Sequence, residues 1–159
     1  MADNTDMYFI AMTVDLARQG VSQNEGGPFG CVIVKDGQVI GRGNNKVLST
    51  HDPTAHAEVV AIREACRRLN SHQLQGCTIY TSCEPCPMCL GAIYWARPDR
   101  IVYACTREDA ASINFDDDFI YKEIGAPIDQ RKIPTDQCGR ERGLEVFRLW
   151  SEKNDKIGY

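Results

Sequence analysis

Two short runs constrain this chain more than anything else in it. They are His56-Ala57-Glu58 and, thirty residues after the histidine, Pro85-Cys86-Pro87-Met88-Cys89. Zinc favours tetrahedral coordination by imidazole nitrogen and thiolate sulfur, and a catalytic site keeps one position for water. His56, Cys86 and Cys89 supply three such donors and leave the fourth position open. At i and i+3 in the first turn of a helix, Cys86 and Cys89 share one face. The partial positive charge of a helix start also favours their thiolates. Pro85 and Pro87 suit a first turn, where a missing N–H costs little. Any fold for this chain must therefore bring the start of one helix to a histidine far back in sequence.

The histidine segment admits two geometries. A regular helix from Asp52-Pro53 sets His56 and Glu58 about 200° apart, pointing away from each other. The preferred reading is a helix starting near Thr54, which puts His56 and Ala57 in the first turn, with free N–H groups directed at the pocket, and lets Glu58 reach the water position. The trio is structural instead if Cys83, His51 or His72 completes the shell. Glu58 favours catalysis, because an activated water needs a proton acceptor and a structural zinc does not.

Eight cysteines are many for 159 residues. Cys31, Cys66, Cys77, Cys105 and Cys138 are scattered and read as small buried hydrophobes, whereas Cys83, Cys86 and Cys89 fall within seven residues. The acidic start, Met1-Ala2-Asp3-Asn4-Thr5-Asp6, has no basic n-region, which predicts a cytoplasmic protein with reduced thiols. The longest apolar runs are too short to cross a membrane. A net charge of −4 argues against nucleic acid as the main partner.

Elsewhere the pattern alternates. Met7, Ile10, Ala11, Val14 and Ala17 recur at helical spacing, with Gly20 as a stop. Residues 29–35 and 38–42 read as strands joined by the hairpin signal Asp36-Gly37. A helix to Leu69, a strand at 78–81, a helix to Ala96 and a strand at 100–104 follow. Residues 107–139 predict loops and short helices, and 144–153 a last helix. No linker divides the chain, so the expectation is one α/β domain over 1–159 with helices on both faces of its sheet.

The H-x-E and P-C-x-x-C runs resemble the zinc-dependent deaminase superfamily of cytidine, cytosine, tRNA-adenosine and guanine deaminases. Three further stretches make the chain most similar to the bacterial guanine deaminases within it. They are Gly26-Gly27-Pro28-Phe29-Gly30, the continuation Leu90-Gly91-Ala92-Ile93-Tyr94-Trp95-Ala96-Arg97-Pro98, and Phe115-Asp116-Asp117 with Phe119 to Ile124. The likeness spans about residues 6–124 and returns at Tyr159, while 104–113 and 127–142 depart from the pattern.

The resemblance implies a three-layer α/β/α fold with a mixed sheet of about five strands. It implies one zinc per subunit on His56, Cys86 and Cys89, with Glu58 carrying the proton from the attacking water to the ring and then to the leaving ammonia. Asn45, Phe29, Ala57, Asp117, Trp95 and Tyr159 match substrate-binding positions. The acceptor-only carboxylate of Asp117 suits the N–H groups of guanine. Read alone, Asn45 also fits a turn, Phe29 a core, Asp117 a solvated acidic run and Trp95 a subunit interface. The tail from about 140, ending at Tyr159, matches a lid. The partners implied are a purine and water, in a homodimer formed through the face of Ile93, Tyr94 and Trp95, for which core packing is the competing reading. The alternatives are a guanosine deaminase, a tRNA adenosine or cytosine deaminase, and a non-catalytic zinc module.

Overall fold

The computed structural model describes residues 4–159; residues 1–3, the beginning of the acidic N-terminal run, lie outside the described residues. The chain forms two compact units that divide between Asp117 and Asp118.

In the first unit, helix α1 (Asn4–Ser22) buries Asp6, Phe9, Thr13, Ala17 and Gly20. This is a different stripe from the apolar one the sequence predicts, and Met7 and Val14 are 59% and 38% exposed. The reason lies at Asp6. Its carboxylate accepts from the Tyr80 hydroxyl at 2.9 Å and from Arg100 Nη1 and Nη2 at 2.9 and 2.7 Å. A buried carboxylate with three donors fixes the helix rotation, and small residues at 13, 17 and 20 fit the face that results.

Strands β1 (Gly30–Lys35) and β2 (Gln38–Asn44) form the expected hairpin. Asp36 and Gly37 both have positive φ, at 49° and 73°, as the tight primed turn requires. Strand β3 (Cys77–Cys83) runs antiparallel to β1, and β4 (Arg100–Cys105) runs parallel to β3. The sheet order is β2-β1-β3-β4, mixed as expected but with four strands where the resemblance implies about five. After Cys105 the chain turns directly into helix α5 (Arg107–Ser112). Thr106 and Asp109 form a reciprocal capping box there, which starts a helix where a further strand would have to begin.

Alternate residues of β1 feed two cores, as the period of two in a strand dictates. Cys31 and Ile33 pack with Ile79 under α3 (Ala57–Leu69) and α4 (Pro87–Ala96). Val32 and Val34 pack with Tyr80 and Phe9 under α1. The result is three layers. Helix α3 lies almost on β2: a Cβ at Gly41 would come within 2.5 Å of Ala61 O, and one at Gly43 within 2.3 Å of Ala57 O. Ala57, Ala61 and Ala65 supply the small, fully buried surface facing these glycines. A short helix, α2 (Val47–Thr50), follows β2.

The second unit holds α6 (Asp118–Gly125), a 3-10 turn (Ile128–Gln130) and α7 (Arg140–Glu152). The last helix begins four residues before the expected Leu144, after Gly139 in the left-handed region. The first turn is polar, so apolar periodicity does not reveal it. Among the described residues, no helix is long and apolar enough to cross a membrane.

Candidate active site

Both motif helices start later than the sequence predicts, and this places the site. Asp52 Oδ1 accepts from Thr54 N at 2.8 Å and from Thr54 Oγ1 at 2.7 Å, making 52–55 a turn. Helix α3 therefore begins at Ala57, and His56 is its N-cap with extended backbone at φ −69°, ψ 156°. Because His56 is not helical, the 200° argument does not apply to it. In α4, Cys86 is likewise the N-cap, at φ −66°, ψ 168°, with Pro87 the first helical residue and Cys89 the third. Two helix starts, each offering unpaired N–H groups and partial positive charge, converge on one point.

The donor atoms of His56, Cys86 and Cys89 all lie within 4.8 Å of one another. His56 Nδ1 stands 3.6 Å from Cys86 Sγ and 3.5 Å from Cys89 Sγ. Zn–S near 2.3 Å and Zn–N near 2.0 Å at a tetrahedral angle require an N···S separation of about 3.5 Å. The three side chains fit zinc without rearrangement. Among the described residues, no fourth His, Cys, Asp or Glu joins the group. Cys83 is buried and donates instead to Thr106 O at 3.4 Å, and burial pushes its thiol up to about 11. His51 and His72 are exposed.

Charge is shared unevenly in the trio. The Cys86 thiol is pulled down to about 4, first by the hydrogen bond from Cys89 and also by the one with His56. Cys89 is pushed up by its interaction with Cys86, by burial and by the charge of Glu58. His56 is raised, chiefly through its bond to Cys86.

Glu58, only 6% exposed, has its carboxyl pushed up, mainly by burial. Its Oε2 accepts from Cys89 Sγ at 3.3 Å, and its Oε1 accepts from Thr81 Oγ1 at 3.3 Å. A buried carboxyl beside the metal donors, its acidity weakened by that burial, can both take and return a proton. Thr81 is a site residue that sequence reasoning missed. The only signal for it was its position in β3 two residues before Cys83, where alternation gives the same face.

Ala57 is fully buried at the start of α3. Asn45 is buried at the end of β2; its N–H donates to Phe29 O at 3.0 Å and its Oδ1 accepts from Val47 N at 3.1 Å. Its Nδ2 makes no hydrogen bond among the described residues. The Phe29 ring meets Phe115 edge-on at 5.0 Å. The Asp117 carboxyl is raised by burial and then by the charge of Cys86, which brings it into the electrostatic reach of the metal donors. Trp95 is not gathered in. It is 64% exposed, nine residues past Cys86 in sequence, or about 13 Å along a helix axis. Tyr159 belongs to the second unit.

Among the described residues, three zinc donors without a fourth, next to a carboxylate shielded from bulk solvent, suit hydrolytic removal of a ring amino group and point to the zinc-dependent deaminases. The comparisons with known proteins agree with the geometry. The chain belongs to the cytidine and deoxycytidylate deaminase family, whose zinc-binding region matches residues 3–105. It is 54% identical over 151 residues to the guanine deaminase of Bacillus subtilis, covering 95% of this chain and 97% of that one. The X-ray structure of guanine deaminase from Bacillus subtilis superposes with a TM-score of 0.94 at 51% identity, covering 99% of both chains. The tRNA-specific adenosine deaminase of Aquifex aeolicus is 41% identical over 97 residues, covering 61% of this chain and 64% of that one. The likeness to the Bacillus protein therefore runs through the stretches whose sequence reads least like the pattern.

Proposed function

We propose that this protein converts guanine and water to xanthine and ammonia. The observation that carries this reading is the buried Glu58 carboxylate, 3.3 Å from Cys89 Sγ and beside a nitrogen–sulfur–sulfur trio of zinc geometry. Near full-length similarity to a guanine deaminase supports the choice of base.

His56, Cys86 and Cys89 would hold one zinc ion per subunit, which would lower the pKa of a water so that hydroxide is available near neutral pH. Glu58 accepts the proton of that water and hands it to the ring nitrogen beside C2. Oxygen bonds to C2, which becomes tetrahedral. Glu58 then moves the second proton to the 2-amino group, the C2–N bond breaks, and ammonia leaves. Burial suits Glu58 to both directions, because it makes the carboxylate a stronger base than an exposed one and keeps it next to both proton partners. Thr81, donating to Oε1, orients the carboxyl so that Oε2 faces the reaction.

Asn45 offers its Nδ2 to an acceptor of the purine, Ala57 its backbone N–H, Phe29 a flat apolar face, and Asp117 an acceptor for guanine N–H groups. Trp95 and Tyr159 are assigned to the substrate on the strength of the resemblance alone. The chain works as one catalytic domain over 1–159, in the cytoplasm, where its two ligand thiols stay reduced. Tyr94 and Trp95, 73% and 64% exposed on α4, support a homodimer rather than a core role for these rings. Sedentary monomers in analytical ultracentrifugation would remove that part.

The test supplies the zinc-loaded protein with guanine, guanosine, cytosine and a tRNA in parallel and measures ammonia. Release from guanine alone supports the assignment. Release from guanosine at equal or higher kcat/KM favours the nucleoside reading, and release from tRNA the editing one. No release from any of them rejects the function.

A further inference from the structure

Asn45 is gripped through its neighbours by one side chain that lies twenty residues earlier in sequence. Glu25 Oε2 accepts from Asn44 Nδ2 at 2.6 Å, and Glu25 Oε1 accepts from Lys46 Nζ at 2.9 Å. One carboxylate thus holds the residue before Asn45 and the residue after it. The backbone adds to the grip, since Glu25 O accepts from both Leu48 N and Ser49 N at 3.1 Å. Gly26 closes it from the side. A Cβ there would lie 2.1 Å from Asn45 Oδ1 and 2.7 Å from Asn45 O, so only a glycine lets the loop seat against the amide. With Oδ1 occupied by Val47 N, rotation of the Asn45 side chain is locked and Nδ2 has one direction left. Lys46 N also donates to Ala55 O at 2.9 Å, tying the same segment to the residue before His56.

We propose that Glu25 is a positioning residue for substrate binding: its carboxylate spans Asn44 and Lys46 and so aims the free amide of Asn45 at the purine. The proposal rests on Asn45 being a substrate contact. Glu25 itself touches no reacting atom. Its partners are a cation and an amide, so both bonds are of the stronger, charge-assisted kind. The Lys46 bond, then that of Asn44, holds the Glu25 carboxyl below its ordinary range. A contact to a part of the base that does not change during reaction stabilises ground and transition states alike. Loosening it therefore raises KM and leaves kcat nearly unchanged.

Steady-state kinetics with guanine on Glu25→Ala, Glu25→Gln, Asn45→Ala and the Glu25→Ala/Asn45→Ala double variant test this, with zinc content measured on each. Glu25→Ala is expected to raise KM about tenfold with kcat within about threefold and zinc fully retained. Glu25→Gln keeps the shape and one acceptor, so its KM should rise by about threefold. The double variant should be no worse than Asn45→Ala alone, because both changes remove one interaction. If Asn45→Ala raises KM while both Glu25 variants keep the parent KM, or if the effects multiply in the double variant, the role of Glu25 is wrong and that of Asn45 stands. If Asn45→Ala leaves KM unchanged, the substrate contact itself falls, and the proposal with it. Loss of zinc or of kcat in Glu25→Gln would overturn positioning in favour of a purely structural role.

Discussion

At the scale of single residues, the chemistry concentrates in one carboxyl. Glu58 is buried, its acidity is weakened by that burial, and each of its oxygens has one hydrogen-bond donor. Glu58→Ala is expected to keep zinc, because the three donors are untouched, and to lower turnover by about 10²–10⁴-fold. Metal analysis beside an ammonia assay checks both halves; turnover that survives the substitution would remove Glu58 from the mechanism. This residue and its three neighbours were legible in the sequence, since a histidine and two cysteines at metal spacing allow few other readings. Thr81 and Glu25 were not. A threonine in a β-branched run looks like any strand residue, and a lone glutamate ahead of glycines looks like a loop. Only the fold sets Thr81 against Glu58, or Glu25 across Asn44 and Lys46.

At the scale of elements, the site depends on where two helices begin. The order of helices and strands, the hairpin at Asp36-Gly37 and the end of α4 all follow from local chemistry that a sequence displays. Helix starts are less visible, because an Asx turn and a helix N-cap use the same residue types. Asp52 looked like a cap and instead closes a turn, leaving the cap to His56. The face of α1 was misread for another reason: apolar spacing cannot anticipate that an acid will be the buried anchor. Asp6→Ala removes the hydrogen bonds that its carboxylate accepts from Tyr80 and half-exposed Arg100, and should cost about 2–3 kcal/mol in urea unfolding while activity per folded molecule is retained. An unchanged midpoint would mean that the rotation of α1 is set by packing alone. Gly43→Ala acts on the other face. The added methyl would sit 2.3 Å from the carbonyl of Ala57, pushing α3 and with it His56 from the sulfurs. Weaker zinc retention and lost activity are expected, measured by dialysis against a chelator; parent-like retention would show that β2 yields rather than α3.

At the scale of the whole molecule, the fold delivers three ligands and a base from two helix starts at one end of a four-stranded sheet. The first unit carries His56, Glu58, Cys86 and Cys89. A chain with a net charge of −4 suits a small neutral base better than a polyanion. The most direct test of the central claim uses oxygen isotope. Guanine is incubated with the zinc-loaded protein in water enriched in ¹⁸O, and the product is analysed by mass spectrometry. Hydrolytic deamination at C2 yields xanthine carrying one solvent-derived oxygen and an equal amount of ammonia. Recovery of unchanged guanine from fully zinc-loaded protein, or of xanthine without the label, would contradict it.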